Sequence, residues 1–111
     1  EINANGGEIP ETYGVPLEEI RAGIRHGVRK VNIDTDLRLA STAAIRKYLA
    51  THRSEFDPRK YLAETIKAMK VVVRERYEAF GTAGWADHIR PISLDGMYQQ
   101  YARGALDPVV N

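Results

Sequence analysis

The densest chemistry in this sequence lies in four consecutive residues, Asn32-Ile33-Asp34-Thr35. Asn32 carries both a donor and an acceptor, which suits a hydroxyl or an enediolate oxygen. Thr35 adds a hydroxyl donor. If a helix begins here, its first backbone N–H groups are unpaired and point outward with the positive end of the dipole, an arrangement that suits phosphate. Asp34 is anionic, so its carboxylate belongs on a substrate hydroxyl or on the helix start, while its backbone N–H stays available to an anion. Capping of the helix by Asp34, Thr35 and Asp36 is the commoner use of such a cluster, and spacing alone does not set it aside.

Other familiar chemistries find little support. His26, His52 and His88 fall in three separate places, and no two have the i,i+4 spacing of a helical metal site. Each reads as structural or exposed, so no metal ligand is expected in this chain. There is no cysteine, which removes disulfides, thiolate nucleophiles and cysteine-bound zinc together and fits a cytoplasmic protein without requiring one. No Ser/His/Asp set has a recognisable local signature, and Gly6-Gly7 is too small a cluster for a nucleotide loop. The net charge of +1, with no long run of like charge, excludes a basic arm and gives no reason to expect nucleic acid or an acidic membrane as partner. Apolar runs such as Val71-Val72-Val73 are too short to span a bilayer.

The elements that must position Asn32–Thr35 follow from local pattern. Residues 1–16 are rich in Gly, Asn and Pro and predict an extended surface loop. Pro16 suits a first helical turn, and Leu17, Ile20 and Ile24 recur at helical spacing. Glu18 and Glu19 stand at the start, Arg25 and His26 at the end, and Gly27 is the stop. From Val28 to Ile33 the period changes to two, with β-branched Val31 and Ile33, which predicts a short strand. A helix through Leu37, Ala40, Ala44 and Tyr48 follows at once. Asp57-Pro58 is a cap and first-turn pair. It opens the strongest helical pattern, Leu62, Ile66, Met69, Val73, Tyr77 and Phe80, a stripe expected to be core or subunit interface. Gly81 ends it. Ser93 and Asp95 open a last short helix through Met97, Tyr98 and Tyr101, whose two tyrosines are of a kind that more often packs than stacks on a ligand. The tail from Gly104 reads as irregular.

One strand among four helices is an unstable proposition by itself, because its two rows of backbone donors and acceptors need partners. The order helix, strand, polar turn, helix is a section of a repeating α/β architecture. The chain also does not begin with methionine. Together these features point to a piece of a longer barrel or open sheet. The alternative is a small helical bundle in which Val28–Ile33 is merely an extended connection.

Val31-Asn32-Ile33-Asp34-Thr35-Asp36 resembles the strand-eight signature of the class II, zinc-dependent fructose-bisphosphate aldolases. The resemblance extends through Gly14–Ile20, Gly23–Lys30 and Glu55–Leu62. Phe80–Gly84 and Ala105–Pro108 resemble the C-terminal extension of the subgroup that includes Calvin-cycle enzymes. The resemblance implies an α/β fold, the C-terminal part of a TIM (β/α)8 barrel plus a helical extension. Residues 1–56 would be the end of the barrel and residues 57–111 the extension that makes subunit contacts. It further implies a lyase of glycolysis, gluconeogenesis or the Calvin cycle, cytoplasmic and homotetrameric. Such an enzyme cleaves fructose 1,6-bisphosphate to dihydroxyacetone phosphate and glyceraldehyde 3-phosphate through a zinc-stabilised enediolate. The zinc ligands, the catalytic aspartate and another phosphate loop would lie upstream of Glu1, so no catalytic residue is expected in this chain. By position Asn32, Asp34 and Thr35, with Ile33 through its backbone, inherit contacts to dihydroxyacetone phosphate. Arg59 takes the place of an arginine that reaches a neighbouring subunit's site and binds the other phosphate. Its planar fork suits phosphate oxygens, and a cation near a helix start otherwise gains nothing from the dipole. An aldolase for a related sugar bisphosphate of the tagatose type, or a noncatalytic helical module for assembly, are the alternatives.

Overall fold

The computed structural model describes residues 1–108. Four α-helices, α1 (Leu17–Arg25), α2 (Thr35–Thr51), α3 (Pro58–Ala79) and α4 (Leu94–Ala102), are joined by loops. Short 3-10 turns occur at Asn3–Asn5 and Ala86–His88, the first inside the stretch expected to be extended.

Local signals account for the helix boundaries. Pro16 is extended and stands at the cap of α1, one place before the first-turn position expected for it. At the other end Val28 N–H reaches Gly23 O at 3.0 Å and Gly27 N–H reaches Ile24 O at 3.2 Å. This paired closure requires a left-handed residue between them, and Gly27 supplies it with φ 107. The same closure ends α3, where Thr82 N–H meets Tyr77 O at 3.0 Å around Gly81 at φ 71. Asp57 caps α3 by accepting from Arg59 N–H, with Pro58 in the first turn, and Ser93 caps α4 by accepting from Gly96 N–H. The tail forms turns as far as Asp107, and residues 109–111 lie outside the described residues.

The main packing is α2 along α3, with the N-terminal 3-10 turn added against α2. Arg46 Nη1 donates to Gly6 O at 2.7 Å and Lys47 pairs with Glu1 at 2.9 Å, which ties that turn to α2. The contact is built on small residues: Ala43 and Thr65 are buried, and the Thr65 hydroxyl turns back to donate to Leu62 O. Neither α1 nor α4 packs along another helix among the described residues.

Two expectations need correction. First, Val28–Ile33 is extended but not a strand, and no strand occurs among the described residues. The physical reason is the one that made a lone strand doubtful: a ladder needs a neighbour. The backbone from Arg29 to Ile33 makes no hydrogen bond to other backbone among the described residues. Second, the apolar stripe of α3 is not the face that packs on α2. Leu62, Ile66 and Tyr77 are each about half exposed, whereas Tyr61, Thr65, Ala68 and Val72 turn inward, more than a quarter of a turn away. Met69, Val73 and Phe80 of the stripe are partly covered, so it divides between a half-exposed row and a row beside the apolar cavity.

The exposed surface is 9502 Å². A folded monomer of this mass would expose about 6200 Å². The radius of gyration is 20.0 Å, against about 13 Å for a compact domain of this length. Beside α1, the lower half of α3 and the Val28–Ile33 segment enclose an open apolar cavity of about 520 Å³ that includes Ile24, Val31, Leu37, Val72 and Phe80. No helix among the described residues is long and apolar enough to cross a membrane.

Candidate functional site

Asn32, Ile33, Asp34 and Thr35 come together along one groove of about 510 Å³, whose other wall is formed by Val15, Ile20 and Gly23. The closure at Gly27 turns the chain out of α1, and the extended segment then delivers Asn32 and Asp34 to the start of α2. Asn32, Asp34 and Thr35 are exposed and Ile33 is partly covered. This is the alternation the period-two pattern required, kept without a ladder.

The capping alternative is answered by the geometry of the helix start. Asp34 occupies the cap position of α2, yet no side chain makes a capping bond there. Instead the Asp34 carboxylate turns to Arg38, with Arg38 Nε donating to Oδ1 at 2.9 Å and Nη2 lying 2.8 Å from Oδ2. The first backbone bond of the helix is Arg38 N–H to Asp34 O at 3.0 Å, so the amides of Thr35, Asp36 and Leu37 precede it and face outward. Asp36 also points elsewhere, pairing with Arg76 of α3 at 2.8 Å. An oxyanion approaching this helix start meets amides that no side chain has claimed.

Arg59 is not brought to this groove. It lies in the first turn of α3, 89% exposed, and its Nε and Nη2 donate to the Asp57 carboxylate at 3.0 and 2.7 Å. Arg76, which does line the groove, is nearly five turns further along the same helix, about 25 Å away. Asp57 thus does two jobs, capping α3 and holding one edge of the Arg59 guanidinium, while Nη1 stays open. The Arg59 side chain, and next its backbone N–H, hold the Asp57 carboxyl below the usual aspartate value of 3.8, and the same contact raises the Arg59 pKa. A depressed carboxyl stabilises the folded form above the unfolded-state value and loses that contribution as pH falls through the folded value. The first turn of α3 is therefore expected to fray below about pH 4, and Asp57→Asn, which still caps, should flatten that acid response in amide chemical shifts of Arg59 and Lys60.

Arg76, which lines the groove, and Arg38, which holds Asp34 beside it, were not singled out from the sequence, and Asp36 was read there only as a capping residue. The Asp34–Arg38 pair was visible as an i,i+4 spacing. The Asp36–Arg76 pair spans 40 residues and has no sequence signal.

The model of the family described as Fructose-bisphosphate aldolase class-II matches residues 11–85, a span that contains α1, the groove segment, α2 and α3. The chain belongs to that family. Among similar proteins, the fructose-bisphosphate aldolase of Pseudomonas aeruginosa is 69% identical over 110 residues, covering 99% of this chain and 31% of that protein. That of Xanthobacter flavus is 60% identical over 111 residues, covering 100% of this chain and 31% of that protein. That of a Nostoc species is 56% identical over 108 residues, covering 97% and 30%. The chain therefore spans about a third of the length of the aldolases it matches. Zinc, which the aldolase family uses, does not fit the residues present here. No group of three or more His, Cys, Asp or Glu side chains among the described residues is arranged to hold a metal ion.

Proposed function

We propose that the longer protein carrying this chain is a fructose-bisphosphate aldolase, cleaving fructose 1,6-bisphosphate reversibly to dihydroxyacetone phosphate and glyceraldehyde 3-phosphate. The observation that carries this reading is the groove of an aldolase-family chain in which the start of α2 is left free of side-chain caps beside Asn32, Asp34 and Thr35. There the backbone N–H groups and the Thr35 hydroxyl receive the phosphate of dihydroxyacetone phosphate. Asn32 and the Asp34 carboxylate take its hydroxyl and carbonyl-derived oxygens, and Ile33 contributes through its backbone. The metal-dependent making and breaking of the carbon–carbon bond belongs to groups outside this chain, including zinc ligands elsewhere in the longer protein. Residues here bind and orient.

In the same reading Val28–Ile33 is the eighth strand of a TIM barrel. Its extended backbone, with no backbone partner from Arg29 to Ile33 among the described residues, is ready to join a ladder. Residues 1–56 then close the barrel at its C-terminal end, and residues 57–111 form an extension between subunits of a cytoplasmic homotetramer serving glycolysis or the Calvin cycle. The half-exposed Leu62, Ile66 and Tyr77 of the α3 stripe support that interface role.

The test uses the full-length protein. Cleavage of fructose 1,6-bisphosphate in preference to its tagatose epimer is expected, and a protein that cleaves neither ends the aldolase reading. Thr35→Val removes the hydroxyl with little change of shape and should weaken dihydroxyacetone phosphate binding by about tenfold in calorimetry, the effect of one hydrogen bond to a charged group. Unchanged affinity would remove Thr35 from the site.

A further inference from the structure

The groove segment is tethered to the rest of the chain in an unusual way. Its backbone from Arg29 to Ile33 has no backbone partner among the described residues, and the Asp34–Arg38 pair is local to α2 and exposed. Among the described residues, the one side-chain ion pair that joins α2 to α3 is Asp36–Arg76. Arg76 Nη2 lies 2.8 Å from Asp36 Oδ2, and the Arg76 side chain is only 18% exposed. Its Nη1 is also within 3.3 Å of the Glu75 carboxylate, so two anions fix the guanidinium. Arg76 borders both the apolar cavity and the groove.

Asp36 is the second residue of α2, directly after Thr35. Whatever fixes Asp36 therefore fixes the direction of the outward amides and the placement of Asn32–Thr35 relative to α3. An ion pair with one partner largely covered holds its geometry better than an exposed one, because solvent screens it less and the long side chain is already immobilised by packing.

We propose that Arg76 is a positioning residue for substrate: through Asp36 it holds the first turn of α2, and so the Asn32–Thr35 segment, in the register that binds dihydroxyacetone phosphate. This rests on the aldolase reading above. The Arg76 guanidinium is engaged by Asp36 and Glu75, and its role here is to position rather than to bind. Its removal loosens binding that is common to ground and transition states, which raises KM and leaves kcat nearly alone.

The experiment is steady-state cleavage of fructose 1,6-bisphosphate by the full-length protein and its variants, with melting temperatures recorded alongside. Arg76→Met keeps the packed stem and removes the charge. It is expected to raise KM about tenfold with kcat within about twofold of wild type. Arg76→Lys, which restores a charge toward Asp36, should recover most of the loss. Asp36→Asn, with nearly the same shape, should raise KM by a similar factor, and the double variant should be no worse than the poorer single one. If Arg76→Met fails to fold, Asp36→Asn decides the matter at unchanged melting temperature. An unchanged KM in Asp36→Asn, or a fall in melting temperature with KM untouched, overturns the proposal and leaves the pair a structural tie. An inactive wild-type protein overturns the aldolase reading and this inference with it.

Discussion

Arg59→Ala in the full-length protein is expected to lower kcat/KM for fructose 1,6-bisphosphate by about a hundredfold while leaving fructose 1-phosphate cleavage almost unchanged. The magnitude is that of two charge-assisted hydrogen bonds to phosphate, about 3 kcal/mol in all. The selectivity follows from placement. Arg59 sits at the opposite end of α3 from the groove, about 25 Å from Arg76 along the helix axis, so it does not serve the phosphate bound by its own Asn32–Thr35 segment. It is 89% exposed, with one edge held by Asp57 and the other open, which is the state of a residue presented to something outside its own fold. Mixed oligomers give the sharper measurement. Subunits carrying Arg59→Ala, combined with subunits disabled in the groove by Asp34→Ala, should regain activity if arginine and groove come from different chains. Absence of recovery, together with an unaltered bisphosphate KM in the single variant, would return Arg59 to the role of a solvated first-turn residue.

The second large effect concerns folding. By itself the 111-residue chain is expected to show helix that melts gradually with heat and urea, without the cooperative transition of a small domain. It exposes about half as much surface again as a folded monomer of 12.5 kDa should, and its radius of gyration exceeds that of a compact chain by about 7 Å. Among the described residues the only buried apolar residue is Ala43, and no large side chain is fully buried. Net stability is a small difference between large terms, and a core this thin cannot offset the ordering of the chain. The α2–α3 pair is the part most able to persist, because its packing is continuous. Urea titration followed by circular dichroism and by Trp85 fluorescence checks this. Coincident, steep transitions with a slope of about 1–3 kcal/mol per molar urea would show a self-sufficient domain and favour a helical assembly module instead.

These outcomes bear on how much could be read from residue order alone. Helix boundaries were legible because they are set by neighbours in sequence: Asp57-Pro58 and Ser93 at starts, Gly27 and Gly81 at stops. Family membership was legible for a similar reason, since separated motifs from Gly14 to Leu62 keep their order along the chain. Asn32–Thr35 could be picked out as a unit because its chemistry is contiguous. What it does at the helix start could not: whether Asp34 caps α2 or turns to Arg38 depends on the local conformation of its side chain.

Other features needed the tertiary structure because they depend on which surfaces meet. The period-two pattern at Val28–Ile33 fixed an extended backbone, with exposure alternating from Lys30 to Asp34, yet a strand is a relation between two segments and the second is not among the described residues. The apolar stripe of α3 fixed a helix, but close approach to α2 around Ala43 falls on the Thr65 face and leaves Leu62, Ile66 and Tyr77 of the stripe half exposed. The Asp36–Arg76 tie joins residues 40 apart and exists only because α2 and α3 lie side by side. Sequence determined the elements and the chemistry they carry, because those arise within a few residues. Packing decided which faces are covered and which charges meet, because those are set by distance in space.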